Sequence, residues 1–543
     1  MVSSQYEKKD GHGAAALAAA CLRSFKDERS FFMKQTKTWA RLLALLLCLL
    51  MVGSLLIACK KKTEDPAASD TPAATTPTDT LPGEDSLDVV ADLPEVKFGG
   101  KEFKMLLRNN VDMYRDMYVE DSAGGDTVDK AVYLRNKTVE SRFEVVLKAD
   151  KSSDGNLDTD HLNAIKTGQT AYHLIANHGR GMFSYANNDA LMNWSKIPYL
   201  NYEKDYWNQG MQEDFTINGV LYCLAGDISW HSLSAAVCMV FNKQVCDAIG
   251  EEYPYTAVQS GEWDFEMFKT MALKAGSGAS AKIDPINNTA DATATMGYMT
   301  TQYRGPINVL YAGGGSVVTV NEDRTALELT LNTERNDQIF TEFLSLKNYN
   351  NIQLYATGNG DAHFKAFATG NILFYDTRIG DVARIKHFGM ETDKFGIIPW
   401  PKYDENVEGY HAWSDAIGNT FGVPKGWTDT EYEFVGIVME ALCEAGYNTV
   451  TPKYYSNILQ SQYSDAASVE MINIIRDGRR YDIASYMMCG SDYGQIGDVG
   501  MVLLTQGYAN LSTWWPTVEN KALSGLQEAN EIFELLGATD KLS

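Results

Sequence analysis

The chain has 543 residues, and its 71 Asp or Glu against 47 Lys or Arg give a formal net charge of −24. A surface this acidic repels phosphate backbones and anionic lipid, which excludes nucleic-acid binding as a role. The length is enough for two domains with a full apolar core each.

A basic stretch, Lys34, Lys37 and Arg41, leads into an apolar run from Leu42 to Ala58 that stops at Cys59 and Lys60-Lys61-Lys62. Charge, apolar core and small residue in that order are an export signal, which assigns 33–58 to a signal peptide. Residues 1–32 precede Met33, where such a signal would begin, and read as an upstream extension from a start codon called too early. The competing reading of the apolar run is an uncleaved transmembrane helix, and both readings put the rest of the chain outside the cell. Thr63 to Asp88 is built from Thr, Pro, Ala, Asp and Ser and cannot bury enough apolar surface to offset its ordering entropy. Residues 59–95 are thus expected to be a disordered tether. Residues 1–58 hold eight Lys or Arg and four Asp or Glu, so the remainder carries −28. Beyond Cys59 five cysteines remain, Cys223, Cys238, Cys246, Cys443 and Cys489, with no CxxC spacing, and isolated buried thiols are expected.

From Lys101 the body alternates strand and helix. Phe103 and Met105 to Leu107 predict a strand; a helix opens near Asp126, with Val128, Ala131, Val132, Val139 and Phe143 on one face. Val145 to Leu147 predicts a strand, Leu162 to Ile165 a helix, and Leu174 to Ala176 a further strand. The apolar run Ala235 to Phe241 suits a strand buried on both faces. Asp264 caps a following helix, Gly313-Gly314-Gly315 turns the chain, and Ile372 to Tyr375 is another strand. This alternation predicts α/β architecture with parallel-type sheets covered by helices.

Several stretches together carry a resemblance. They are Gly125-Asp126-Thr127-Val128 with Arg135-Asn136-Lys137, Ala176 to Arg180, Trp207-Asn208-Gln209, Ile217-Asn218-Gly219, Gly226 to Ser229, Met239 to Lys243, Pro399 to Asp404, Val450 to Tyr455 and Ile474 to Arg479. In this order, behind Leu56-Ile57-Ala58-Cys59, which is similar to a lipoprotein cleavage box, they resemble the extracellular solute-binding proteins of bacterial ABC importers, close to the maltose-binding type. The resemblance implies a periplasmic-binding-protein-like fold of type II, with two lobes joined by a hinge and a ligand cleft between them. It places lobe 1 at 96–233 and 376–424 and lobe 2 at 234–375 and 425–543. It also implies a monomer on the extracellular face of the cytoplasmic membrane, acylated at Cys59, that captures a small solute, a carbohydrate above all, and hands it to the importer's permease subunits. A peptide or other oligomeric nutrient stays open as the solute.

A sugar presents C–H faces to aromatic rings and hydroxyls to polar groups, so a site for it mixes the two. The candidates are Asp227 with Trp230, before the predicted crossover strand; Trp413 and Asp415; Arg180, at a predicted strand end; and Tyr375, Asp376 and Arg378. Core packing or surface ion pairing is the competing reading for each, while Trp263 and Trp514-Trp515 read as packing residues. Asp150, Ser152, Asp154, Gly155 and Asp158 partly follow a calcium loop, but His161 stands where a bidentate Glu is required, and a polar turn accounts for them. No metal or cofactor is expected. The alternative function is a surface-anchored glycoside hydrolase, which needs two carboxyl groups about 5–9.5 Å apart; no such pair is singled out, and no HExxH, nucleophile elbow or P-loop occurs.

Overall fold

The computed structural model describes residues 92–542 apart from 122–124, 153–157, 277–281, 285–288, 292–294, 356–360 and 463–465. These residues belong to the unit 80–543. The leader at 33–58, Cys59, the tether up to residue 91, and Asp154 and Gly155 lie outside the described residues.

Strand β1 (Lys101–Leu107) contains the predicted apolar run, and helix α1 (Thr127–Phe143) opens where Asp126 accepts from the N–H groups of Val128 and Asp129. The capping box fixes the start of α1. Its predicted face, from Val128 to Phe143, is buried against the sheet. Strand β2 (Val145–Lys151), helix α2 (Thr159–Lys166), strand β3 (Leu174–His178) and helix α3 (Gly179–Asn187) follow. Asp158 of the calcium-like stretch caps α2 by accepting from the N–H of His161.

The second set comprises β4 (Val237–Asn242), α4 (Phe265–Lys274), β5 (Met296–Thr301), α5 (Gly305–Ala312), β6 (Ile352–Tyr355), β7 (Ile372–Arg378) and β8 (Phe395–Ile398). Asp264 caps α4 through the N–H of Met267, as its sequence context predicts. Trp263 is fully buried, set edge-on to Phe268 and tilted against Phe374 between helix and sheet. The remaining elements used below are β9 (Ala412–Trp413), β10 (Asn419–Gly422), α6 (Asp429–Ala445), α7 (Ala466–Asp477) and β11 (Arg479–Arg480).

Two sheets result. The first has the order β10-β3-β1-β2, with β1 parallel to β2 and β3 and β10 antiparallel to β3. The second has the order β6-β5-β7-β4-β8, with β5 parallel to β6 and β7, and β4 antiparallel to both β7 and β8. β4 runs in reverse because it receives the chain from the first sheet. Its first residues therefore lie at the end where β5 and β7 finish.

The distribution of chain differs from the expected 96–233/376–424 and 234–375/425–543 division. β8, inside 376–424, pairs with β4 in the second sheet, because its four buried residues complete the edge beside an all-buried strand. α6, inside 425–543, packs on α1 of the first sheet, where Phe434 meets Phe98 and Phe103 edge-on. The chain passes from the first sheet to the second through 228–237, returns through 398–419, and goes over again between α6 and α7, the latter lying on β8.

The first two passes are tied by buried polar groups. Asp116 is fully buried and accepts from Ser229 Oγ, from the Trp230 N–H at 2.7 Å and from Asn419 Nδ2 at 3.0 Å. Arg135, likewise buried, donates to the carbonyls of Ile228 and Met117, the latter at 2.7 Å. Cys223, Cys238, Cys246 and Cys443 are free and buried, and Cys489 is free and partly buried, as the spacing predicts. Among the described residues no helix is long and apolar enough to cross a membrane.

Candidate functional site

In α/β sheets, ligands gather at the carboxyl ends of parallel strands, where loops can vary without disturbing the sheet. Here those ends from both sheets face one cavity of about 310 Å³. Arg108 follows β1, and His178 and Arg180 stand at the end of β3. Tyr303 and Arg304 follow β5, and Arg378 ends β7. Trp413, Asp415 and Ile417 come from the returning pass, and Asp498 closes one side. A neighbouring cavity of about 480 Å³ shares Arg378 and Ile417 and holds Trp230, so the two form one cleft on either side of that pair. A third, of about 520 Å³, includes Asp227 and lies among loops of 205–232 and the 447–481 segment. Volume does not decide between them; the convergence of strand ends from both sheets favours the first.

Of the residues expected in a site, the structure brings Arg180, Arg378, Trp413 and Asp415 to one cavity and Trp230 to its neighbour. Asp227 is apart, accepting from Thr451 Oγ1 at 3.0 Å, and burial raises its carboxyl to about 7. Tyr375 and Asp376 lie inside the second sheet and do not line the cavity. Asp376 accepts from Thr300 Oγ1 at 2.8 Å and Tyr298 Oη at 3.2 Å, and Thr300 Oγ1 in turn accepts from the Gly305 N–H at 3.1 Å. This chain of bonds pins the first residue of α5 to β7 and so fixes the loop that carries Arg304. Gly305 has to be glycine there: a Cβ would lie 2.4 Å from Tyr298 Oη and 2.7 Å from Thr300 Oγ1.

The charged groups are interlocked. Arg180 Nη2 donates to Asp498 Oδ1 at 2.6 Å. Arg378 Nη2 lies 2.7 Å from Asp381 Oδ2, and Arg304 Nη2 reaches the same oxygen at 3.4 Å. Asp415 Oδ2 accepts from Arg304 Nη1 at 3.5 Å and Arg378 Nη1 at 3.4 Å, which ties the returning pass to the second sheet. Burial alone would raise the Asp381 carboxyl, but Arg378 and Arg304 hold it below the usual carboxylate range. For Asp498 burial wins over Arg180, and its carboxyl is raised. Burial pushes the His178 ring down to about 4, with Arg108 adding to the effect, so the ring is neutral at pH 7. Trp413 lines the cavity but is almost wholly buried, stacked on Tyr311 with its Nε1 donating to Ser485 Oγ at 3.2 Å.

Arg108, Arg304 and Asp498 were not singled out from sequence. Arg108 follows β1 directly and Arg304 comes three residues after β5, and the strand-end rule applied to Met296–Thr301 would have found Arg304. Asp498 sits in an irregular stretch with no pattern to mark it. Among the described residues no group of three or more His, Cys, Asp or Glu is placed to hold a metal ion.

No family model matches the sequence, and no curated protein matches it. Solved structures do. M. tuberculosis UspC matches with a TM-score of 0.50 at 12% identity, over 78% of this chain and 99% of that one. The ABC substrate-binding protein Lmo0181 from Listeria monocytogenes, solved with cycloalternan, matches with a TM-score of 0.47 at 16% identity, over 81% and 99%. A cyclo/maltodextrin-binding protein complexed with maltotetraose matches at 0.48 and 12%, over 80% and 97%. The likeness to UspC is one of fold.

Proposed function

We propose that this protein is the extracellular, lipid-anchored substrate-binding component of an ABC importer, which closes two α/β halves over a saccharide and presents the closed form to a membrane permease. The observation that carries the reading is the cavity itself, where groups at the ends of β1 and β3 face groups at the ends of β5 and β7. Ligand contacts drawn from both sheets exist together only when the halves are shut, so a ligand shifts the population toward the closed state. The sequence resemblance points the same way, and Leu56-Ile57-Ala58-Cys59 supports an acylated Cys59 as the membrane anchor. A saccharide fits a cavity that sets Tyr303 and Trp413 beside polar groups. Both carboxylates on its wall are bonded to arginines, which favours a binding role over the hydrolase reading.

The test is thermal unfolding of the full chain, purified in non-ionic detergent, with mono- and oligosaccharides, amino acids and peptides. A ligand at about a hundred times its dissociation constant should stabilise the fold by about 2.7 kcal/mol and be recovered unchanged. Turnover of a sugar in the same tube would favour the hydrolase, and silence across the panel would reject the binding role. Mass spectrometry of the Cys59 peptide tests the anchor.

A further inference from the structure

The hydrogen-bond inventory of the cavity narrows the kind of saccharide it can take, and this step rests on the solute-binding reading above. Arg108, Arg180, Arg304 and Arg378 line it against Asp415 and Asp498, in a chain where acids outnumber bases 71 to 47. Asp381, on the adjoining cavity, also pairs with Arg378 and Arg304, so four arginines stand against three aspartates, and the local balance is still the reverse of the global one.

A guanidinium offers five N–H donors and no acceptor. The two carboxylates are already bonded by the protein: Asp498 Oδ1 by Arg180 at 2.6 Å, Asp415 Oδ2 by Arg304 at 3.5 Å and Arg378 at 3.4 Å, and Asp415 Oδ1 by the Ile417 N–H at 3.2 Å. His178 adds no acceptor at Nδ1, which already takes the Gly181 N–H at 3.0 Å. Every hydroxyl of a neutral sugar both donates and accepts, and a wall rich in donors leaves its hydrogens poorly matched. A carboxylate or sulfate only accepts. It also brings negative charge to guanidinium groups partly withdrawn from water, where Coulomb attraction is stronger than in bulk solvent, and arginine binds such groups through paired N–H donors.

We propose that the cleft is built for an anionic saccharide, whose carboxylate or sulfate lies among these arginines. The test is titration calorimetry of the full chain in non-ionic detergent with matched pairs: trigalacturonate and its methyl ester, and lactose 3′-sulfate and lactose. Maltotriose, free amino acids and short peptides complete the set. An anionic member should bind at least ~10-fold more tightly than its neutral counterpart, and that preference should shrink as salt rises from about 0.05 to 0.5 M. Which pair shows it names the acidic group. Arg180→Gln and Arg304→Gln should reduce the anion-to-neutral ratio, whereas simple damage to the fold would weaken both members and leave the ratio unchanged. A neutral member that binds as tightly as its anionic partner overturns the proposal and leaves the solute-binding reading intact. So does binding of maltotriose, amino acids or peptides while both anions are silent. Silence throughout overturns both.

Discussion

The carboxylate of Asp116 accepts the backbone N–H of Trp230 at 2.7 Å and the side-chain amide of Asn419 at 3.0 Å, so one buried group joins two separate passes of chain between the sheets. Because it also takes the Ser229 hydroxyl, both of its oxygens serve as acceptors. Asp116→Asn turns one of them into a donor facing other donors. The variant should lose about 2 kcal/mol of stability, measured by urea unfolding at pH 7. An unchanged midpoint would show that this junction holds without the carboxylate.

Gly305→Ala places a methyl group against Tyr298 Oη and Thr300 Oγ1, at the root of the loop that carries Arg304. The contacted groups belong to a bonded cluster around Asp376 and have little room to move. The expected result is a loss of about 1–3 kcal/mol, together with weaker ligand binding through displacement of Arg304. Binding that stays at the wild-type level would separate the cluster from the site.

Arg378 and Asp381 form a pair with 15% side-chain exposure each, bonded at 2.7 and 2.8 Å. Each partner keeps a second, longer contact, Arg304 at 3.4 Å for Asp381 and Asp415 at 3.4 Å for Arg378, so Arg378→Gln and Asp381→Asn should each cost about 1–2 kcal/mol, less than a buried charge left wholly unpaired. The double variant should cost well under the sum. Additive losses in the cycle would mean that the pair is not coupled.

The pH dependence combines two opposed sets of buried groups. Burial raises Asp116 and Asp482 to about 6 and Asp214, Asp227 and Asp376 to about 7. The native state holds these protons where the unfolded chain has lost them, so their ionisation costs stability as pH rises from 4 toward 7. Burial lowers His173, His178, His231, His363 and His411 to about 4. These rings stay neutral while the unfolded chain protonates, so they cost stability as pH falls from 6.5 through 4. The groups that face His178 include Arg108, Arg180 and Asp415, and those that face Asp376 include Arg304, Tyr298 and Thr300. Over about pH 4.5–6.5 the two slopes oppose one another, and stability should change little. Above that window only the carboxyl set remains, and stability should fall toward pH 8. Asp376→Asn should flatten the pH 6–8 limb, by up to about 1.4 kcal/mol per pH unit for one group. Chemical unfolding at half-unit steps reads this directly, and a limb of unaltered slope would remove Asp376 from the account.

Period and capping made the first sheet readable: the face of α1 and the Asp126 cap follow from local sequence alone. β4 was readable as a strand but not in its direction, since that depends on where the chain enters from the other sheet. β8 and α6 could not be assigned to a sheet from sequence, because an apolar edge strand or an amphipathic helix fits any open apolar face. The site divided along the same line. Arg180 and Arg378 stand at strand ends that periodicity reveals. Asp376, two residues earlier on β7, shares a face with Arg378 but lies deeper in the sheet, fully buried, and its partners Tyr298 and Thr300 come from a strand more than seventy residues away in sequence.

The back-and-forth route of the backbone between the sheets also governs how the molecule comes apart. A protease that nicks the exposed turn at Glu322–Thr325 severs the polypeptide but not the particle, since other stretches still lace the two halves together. Fragments should separate on a denaturing gel and yet travel as one species in native solution.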